Sequence, residues 1–434
     1  MQTTKRKLLS NSTWQVLFSI LRAVIGFGST IIIAKKLGPV EFGQIQYAFA
    51  IHYLLQLSEL FSHPSIVKKL LIEKEFPHDA IMGSSFIISL MTTAAVLCTT
   101  LLISSALYEN QFLLYVFLAA QIGVIARPFN NISFYYDSIL QSKKSSFSQF
   151  FGSFLSNITR VIALALTSNL IIQSLLFSAQ FFITSISNII IYFKDTNSIF
   201  NWYLNKTIII EILKKSTPLF FTALTSIIFM KIDIVMLEHL ASTSSVGIYS
   251  VAVKLSEPWF FFSGAIITSF FPSVILAKKK SIKGYYYKLT RLNSLLFAMG
   301  IFISVVMSLT AYYWIHYLFG AEYHQAIQIL QIHIWGLTFL FWSSLQHLWE
   351  VKENFLKFAL IKAISTSTLN VLLNFYLIPK YSGLGAAYAT VISYFVVGIL
   401  FNITTKKSRK YLKIQLKSIL VYKYLSLKEF RELF

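Results

Sequence analysis

Long apolar stretches constrain this chain more than any other feature. A helix needs roughly 20 apolar residues to cross a bilayer, and twelve stretches of about that length can be marked in the 434-residue sequence. They are residues 13–34, 42–62, 80–104, 112–135, 147–167, 169–193, 217–240, 247–277, 290–318, 326–350, 355–377 and 383–404. Only 13% of the residues are charged, against about a quarter in soluble domains. The sequence therefore predicts an all-α integral membrane protein with about 12 transmembrane helices.

Basic residues set the expected orientation, because cytoplasmic loops of membrane proteins are enriched in lysine and arginine. With the N-terminus inside, 29 basic residues fall in cytoplasmic segments and three, Lys35, Lys36 and Lys380, fall outside. The net charge of +21 is thus a topology signal, and no nucleic-acid partner is expected. Both termini are predicted to be cytoplasmic. The single cysteine, Cys98, lies in an apolar stretch, so neither a disulfide framework nor a thiol metal site is expected.

Two helix ends half a chain apart read alike. Pro64-Ser65 is followed by Lys68, and Pro272-Ser273 is followed by Lys278. Such a repeat favours two six-helix bundles of the same orientation, although a chance match of two cytoplasmic ends is the alternative. The predicted domains are the N-terminal bundle 1–193, a cytoplasmic linker 194–216, the C-terminal bundle 217–404 and a basic cytoplasmic tail 405–434. The tail suits either a helix on the anionic inner leaflet or a solvated extension.

Six cations lie inside the predicted spans, where each costs about 2.5–3.5 kcal/mol at the bilayer centre. Asp233 and Glu257 are the only deep acids that are plausible partners. The excess of positive charge predicts that several of the cations face a hydrated, anion-binding cavity. The six cations are Arg22, Arg127, Arg160, Lys231, Lys254 and Lys362.

Polar residues recur at helical spacing around two of these cations. Ser19, Arg22 and Gly26 form a stripe on the first span, and Ser156 and Arg160 belong to one on the fifth. These stripes fit a lumen lining, but small polar residues also join packed helices in membranes. Three of the other cations have an alternative to facing the cavity. For Lys254 it is an i,i+3 ion pair with Glu257, and for Lys362 it is snorkelling toward the membrane surface. For Arg127 it is a helix broken before Pro128, whose freed carbonyls satisfy the arginine locally.

Signatures of catalysis are missing from the sequence. It has no Walker A loop, no Gly-x-Ser-x-Gly elbow and no His-Glu-x-x-His pair, so we expect no enzyme activity, no cofactor and no bound metal. Without a nucleotide site, any transport would be driven by a gradient or be passive.

Three stretches resemble the polysaccharide-exporting flippases (Wzx type) of the multidrug/oligosaccharidyl-lipid/polysaccharide exporter superfamily. The first runs from Ala34 to Gly43, and the second from Lys231 to Leu237, continuing with a Val246-Gly247 turn and Lys254 to Glu257. The third comprises residues 370–374, 378–381 and 385–387. Glu238 stands where the family usually has glycine.

The resemblance implies two six-helix bundles around a central cavity with alternating access. It also implies a substrate of undecaprenyl-diphosphate-linked oligosaccharide, such as an O-antigen or capsule repeat unit, in the bacterial cytoplasmic (inner) membrane. Matched motif positions carry over Lys231 and Lys254 for substrate binding, and Asp233 and Glu257 for ion coupling. The expected partners are the lipid-linked oligosaccharide, membrane lipids and other polysaccharide-assembly membrane proteins.

Rival functions from other classes remain open at this point. A membrane-embedded polysaccharide polymerase or acyltransferase shares the apolar composition, but it would need a sizeable outer loop or a catalytic constellation. Another lipid or drug antiporter of the same superfamily shares the fold, although a carrier of cationic drugs would favour an acidic lumen.

Overall fold

The structure is a computed structural model, and it describes residues 2–55, 61–107, 111–195 and 197–420. Within those ranges the regular elements are all helical. The α-helices are α1 (Gln2–Leu55), α2 (Pro64–Glu73), α3 (His78–Leu107), α4 (Gln111–Gln121), α5 (Asn131–Ser138), α6 (Ser142–Leu166), α7 (Leu170–Lys194), α8 (Lys206–Leu240), α9 (Thr243–Ser256), α10 (Phe260–Lys280), α11 (Ile282–Leu318), α12 (Ala326–His333), α13 (Trp335–Lys352), α14 (Leu356–Tyr381), α15 (Gly383–Gly398) and α16 (Ser408–Ser418).

Membrane-crossing helices account for most of the described chain. Ten helices or joined helix pairs are long and apolar enough to cross a bilayer, and an eleventh is the bent pair Lys206–Phe221 and Ala223–Leu240. The first of the ten, Thr13–Leu55, is 43 residues long and contains two of the predicted stretches. Each of the twelve predicted spans therefore falls in one of these helices, although residues 56–60 of the second lie outside the described ranges.

The turn between the first two spans is a single break at Gly38. This residue has φ 73° and ψ 173°, a conformation that side chains with a Cβ rarely adopt. Pro39 follows it at the start of the next helical segment, where its fixed φ suits a first helical position. The Ala34–Gly43 motif is therefore a helix–break–helix connection of minimal length.

A 3₁₀ segment interrupts the fourth span. Residues Ile122–Asn130 join α4 to α5 and contain Arg127 and Pro128, so the break predicted at Arg127-Pro128 is confirmed. A neighbouring helix satisfies carbonyls at and before this segment: Ser178 of α7 donates to Ala119 and Ala120, and Ser185 donates to Ala126 at 2.7 Å. Irregular backbone inside a membrane protein requires such internal partners.

The chain divides into two compact units, Met1–Lys231 and Ile232–Phe434. In the first unit α6 packs against both α1 and α7, and in the second unit α11 packs against α13 while α14 packs against α15. The boundary lies inside α8, so this helix contributes to both units. The assignment of the linker 194–216 as the junction of two six-helix bundles stays a prediction.

Ion pairs join helix ends in the first unit. Lys68 of α2 lies 3.4 Å from Asp137 of α5, and Lys144 of α6 donates to Asp195, just after α7, at 2.5 Å. The Lys144 ammonium lowers the pKa of the Asp195 carboxyl below its ordinary value, and a hydrogen bond from Tyr136 acts in the same direction. These pairs fix neighbouring helices to one another.

The described part of the C-terminal tail is a helix packed on one face against the second unit. Helix α16 packs against α11, α13 and the 3₁₀ turn Leu400–Ile403, with Tyr411, Gln415 and Ser418 buried. The sequence suggested a surface helix or a solvated extension, and it missed this packing because polar residues form most of the buried face. Residues 421–434 of the predicted tail lie outside the described ranges.

Candidate functional site

Arg22 lies in the seam between α1 and α6. Its Nη1 donates to Gln149 Oε1 at 2.6 Å, and its Nη2 is 3.4 Å from Ser19 Oγ. In the same seam Ser29 donates to Asn157 at 2.5 Å. Polar side chains of α1 and α6 thus face each other and join the two helices, as polar residues do in membrane interfaces. Arg22 makes no ion pair with any residue in the described ranges.

Arg127 is held in the first unit by a histidine that the sequence did not single out. Its Nη2 lies 2.7 Å from Nε2 of His52, and the guanidinium carbon lies 4.7 Å from the centre of the Phe181 ring. Both Arg127 and His52 are buried. The 3₁₀ segment turns the arginine side chain toward His52 of α1 and Phe181 of α7.

Arg160, on α6, is also buried, at 7% exposure. Its guanidinium carbon lies 5.4 Å from the Phe49 ring centre and 5.9 Å from the Phe177 ring centre. Its buried Nε has no hydrogen-bond partner among the described residues, and no described carboxylate pairs with it. Aromatic faces attract a guanidinium through the ring quadrupole, but they leave its N–H groups available to an anion.

One aromatic group connects these cations. The Phe177 ring stacks on Phe49 at 3.7 Å and lies 5.4 Å from the His52 ring. Tyr53, beside His52, has the ammonium of Lys231 at 5.8 Å from its ring centre. Three of the predicted binding residues are therefore assembled in one place. We call this the arginine cluster: Arg127, Arg160, Lys231, His52, Tyr53, Phe49, Phe177 and Phe181.

Arg22 is separate from the arginine cluster. Its partner Gln149 precedes Arg160 by three turns of α6, which is roughly 16 Å along a helix axis. Helix α6 nevertheless connects the two positions, because it contains Arg160 and also Gln149, the residue that Arg22 of α1 contacts.

Asp233 is the centre of a second cluster, in the second unit. It is 4% exposed, and its carboxylate accepts from Tyr249 Oη at 2.7 Å, from Asn374 Nδ2 at 2.5 Å and from Thr390 Oγ1 at 2.9 Å. Asn370 lies next to it and accepts from Asn374 at 3.2 Å. We call this the aspartate cluster: Asp233, Tyr249, Asn370, Asn374 and Thr390. Its donors to Asp233 are all neutral, and no described cation pairs with the acid.

Lys254 and Glu257 lie at the end of α9. Lys254 is in the last turn, and Glu257 opens the 3₁₀ turn Glu257–Trp259, with Pro258 ending the helix. Both are half-buried. His333 of α12 is nearby, with its Nδ1 2.8 Å from Ser256 Oγ and its ring 5.9 Å from that of Tyr249. This places a buried histidine beside both the α9 end and the aspartate cluster.

Lys362 does not snorkel. Its Nζ donates to Glu350 Oε1 at 2.6 Å, and the carboxylate is fully buried. Gln346 donates to the same oxygen at 2.8 Å and also bonds Asn402, which bonds Gln415 of α16. Lys362 is therefore part of a structural polar network of the second unit.

Sequence reasoning missed the partners that define both clusters. His52 was overlooked because a lone histidine in an apolar stretch carries no local signal. Residues 370–374 contributed to the sequence analysis only as part of the family resemblance. The i,i+4 spacing of Asn370 and Asn374 does place both amides on one helix face, but it does not show that they contact Asp233. His333 had no signal in its own segment.

The fold defines a class, which is a multi-pass helical membrane protein. The fold is similar to a structure titled "Lipid II flippase MurJ, inward closed conformation", with a TM-score of 0.69 and 21% identity over 94% of this chain and 92% of that one. It is also similar to an inward-facing multidrug resistance MATE family transporter of the MOP superfamily, with a TM-score of 0.71 and 13% identity over 91% of this chain and 96% of that one. At such identities the likeness concerns the fold.

A sequence match gives the family. Residues 8–275 match the family described as "Polysaccharide biosynthesis protein", which is more than half of the chain, and the chain belongs to that family. Comparison with curated proteins finds no match.

Proposed function

We propose that this protein is a flippase that moves undecaprenyl-diphosphate-linked oligosaccharide repeat units from the inner to the outer leaflet of the bacterial cytoplasmic membrane by alternating access. The observation that carries the proposal is Arg160, a buried cation with aromatic neighbours and no described acid. An uncompensated buried charge is costly, so its retention favours an anionic ligand. Membership of the polysaccharide biosynthesis family supports a lipid-linked saccharide as that ligand.

The chemistry of the arginine cluster suits a diphosphate. Guanidinium groups bind phosphate oxygens through paired, charge-assisted hydrogen bonds. Arg127 contacts His52, Arg160 lies over Phe177, and these two rings are 5.4 Å apart. Lys231 adds a compact charge at Tyr53. Arg22 of α1, which contacts α6 at Gln149, and Lys254 in the second unit extend the proposed substrate-binding set. O-antigen or capsule repeat units are the proposed cargo, and other polysaccharide-assembly membrane proteins are proposed partners.

Ion coupling is the second part of the proposal, and we place it at Asp233, with Glu257 as a further acid. Oxygen-bearing neutral side chains surround the Asp233 carboxylate. A buried carboxylate in such a setting can bind and release a proton or a small cation, and intramembrane acids typically serve ion pathways. Exchange of that ion against the anionic lipid would give a transport cycle without a nucleotide.

Deletion of the gene tests the function itself. We expect lipid-linked repeat units to accumulate on the inner leaflet and surface polysaccharide to be lost, with both reversed by the wild-type gene. Normal surface polysaccharide in the deletion strain would contradict the proposal. Accumulation of free, unpolymerised repeat units at the outer leaflet would instead indicate the polymerase alternative.

Proteoliposomes with labelled lipid-linked saccharide test the coupling. An imposed proton or sodium gradient should accelerate wild-type transport, and Asp233→Asn should remove that response while leaving gradient-free transport measurable. Glu257→Gln is the matched acid-to-amide variant at the second position. If both variants keep the wild-type gradient response, neither acid couples transport to an ion.

A further inference from the structure

The C-terminal helix α16 is anchored to the second unit through a polar face. Ser418 Oγ accepts from Trp342 Nε1 at 2.9 Å and from Asn293 Nδ2 at 3.1 Å, and its carbonyl accepts from Ser294 at 2.7 Å. Gln415 donates to the carbonyl of Gly398 at 3.1 Å. Directional bonds at buried positions fix the rotation of the helix about its own axis.

This rotation presents a basic face outward. Between Thr404 and Leu420 the sequence has six basic residues and no acid. Among them Lys410, Lys413 and Lys417 are exposed and share one helix face by their i, i+3 and i+7 spacing. Lys406 and Arg409 are exposed at the preceding end.

Exposed apolar side chains lie beside these lysines. Leu416 is 52% exposed, Ile419 46% and Leu420 42%. A helix surface that combines lysines with exposed leucine and isoleucine is typical of segments that lie in the headgroup region of a membrane. A purely solvated face would have no reason to expose the three apolar side chains together.

The position of α16 along the chain places this face at the membrane surface. The last membrane-crossing helix ends at Ile403, and α16 begins at Ser408. Five residues reach at most roughly 17 Å even when extended. Lysines this close to a bilayer feel its surface charge, because the Debye length at physiological ionic strength is about 8 Å.

We propose that the exposed face of α16 (Lys410, Lys413, Leu416 and Lys417), together with Leu420 just after its end, binds the headgroups of anionic phospholipids in the membrane that surrounds the protein. The phosphates of the lipids neutralise the lysines, and the leucines enter the headgroup boundary. The proposal is independent of the transported substrate. It commits to lipid rather than to a soluble partner, because the charge, the apolar residues and the distance to the last span all favour a lipid surface.

A chain of hydrogen bonds connects α16 to buried residues of the second unit. Gln415, on the buried side of the same helix, receives a hydrogen bond from Asn402, which bonds Gln346, which bonds Glu350 beside Lys362. Lipid binding would keep α16 in the position from which Gln415 completes this buried network. Anionic lipid should therefore stabilise the second unit.

A fluorophore at position 416 tests the proposal. Leu416→Cys in a Cys98→Ala background is labelled with bimane and reconstituted into phosphatidylcholine vesicles, with or without phosphatidylglycerol. We expect a blue-shifted emission in the phosphatidylglycerol vesicles that weakens in high salt. Lys410→Gln, Lys413→Gln and Lys417→Gln should together abolish the shift, with an affinity loss of about five-fold for each lysine.

The matched control removes the same charge from other exposed positions. Lys35→Gln, Lys36→Gln and Lys380→Gln should together leave the shift unchanged. Equal emission in the two kinds of vesicle, or an unchanged shift in the α16 triple variant, would overturn the proposal. A shift that requires an added soluble protein would assign the face to a protein partner and overturn it as well.

Discussion

Arg127 Nη2 lies 2.7 Å from His52 Nε2, and His52 Nδ1 lies 3.1 Å from Gln121 Oε1. A guanidinium can only donate, so Nε2 of the histidine accepts. The proton of the imidazole is then on Nδ1, from which it is donated to Gln121. This chain of two hydrogen bonds fixes both the tautomer of His52 and the direction of the Arg127 side chain in the arginine cluster.

The two hydrogen bonds of His52 predict that His52→Leu destabilises the protein. The change removes an acceptor from a buried guanidinium, which costs about 1–3 kcal/mol, or more because the donor is charged. Thermal unfolding of the purified protein in detergent measures the loss. His52→Gln offers an amide oxygen to the arginine and should retain part of the stability; equal losses in both variants would show that the ring is needed only for packing.

Arg22 and Arg160 should be required for export. Each change to alanine is expected to reduce surface polysaccharide sharply at near-normal protein level, because a cation that binds the substrate anion is lost. Lysine at either position should keep part of the activity, since an ammonium provides charge without the paired bonds of a guanidinium. Lys69→Ala, at an exposed position of α2, is the control. Full export by both alanine variants would contradict the anion-binding role.

Topology is testable at two exposed positions. Lys283→Cys and Ala241→Cys, each in a Cys98→Ala background, place a thiol at exposed residues on the predicted cytoplasmic and outer sides. An impermeant maleimide applied to intact spheroplasts should label position 241 and leave 283 protected until the membrane is opened. The reverse pattern would invert the orientation inferred from the basic residues.

Gly385 should not tolerate a methyl group. A Cβ at this position would lie 2.3 Å from the Leu377 carbonyl oxygen and 2.8 Å from the Ile378 nitrogen, so the α14–α15 connection would have to shift. We expect Gly385→Ala to cost about 1–3 kcal/mol, as overpacking does, and to lower the unfolding temperature. Gly264, with nothing within 4 Å of its built Cβ, is the matched control, and its alanine variant should unfold like the wild type.

The pair of half-buried Lys362 and buried Glu350 gives a further stability prediction. Glu350→Gln leaves the half-buried Lys362 ammonium without its charge partner, which costs at most about 3–5 kcal/mol, the loss for a fully buried pair. Adding Lys362→Met should recover part of the loss, because the stranded charge is removed. Unfolding in detergent compares the three variants. A double variant no more stable than Glu350→Gln would mean that the network depends on the Glu350 carboxylate itself rather than on its ion pair with Lys362.

Much of the fold follows from local sequence. Apolar length identified each helix of the described chain that is long and apolar enough to cross a bilayer, because a backbone in a bilayer must satisfy its own hydrogen bonds. The break at Arg127-Pro128 was predicted for a similarly local reason: proline has no N–H to donate and disfavours helical backbone at the residue before it. The buried cations and Asp233 were also identified, since an ionisable residue in an apolar stretch is conspicuous.

The partners of those residues depend on tertiary structure. Ser29 joins Asn157 across 128 residues, and Asp233 receives a hydrogen bond from Asn374 across 141. Helical spacing shows which residues share a face, but it cannot show which other helix that face meets. The sequence could therefore not separate the small residues that join α1 to α6 from those lining a hydrated surface.

The sequence by itself determined that this chain is an all-helical membrane protein with an excess of positive charge inside its apolar stretches, because hydropathy and charge are properties of each segment alone. Only the tertiary structure decided that Arg127 and Arg160 share one aromatic cluster, that Lys362 is paired with Glu350, and that α16 is docked by Gln415 and Ser418. These contacts join segments far apart in sequence, and helix packing, which depends on the complementary surfaces of two helices, selects them.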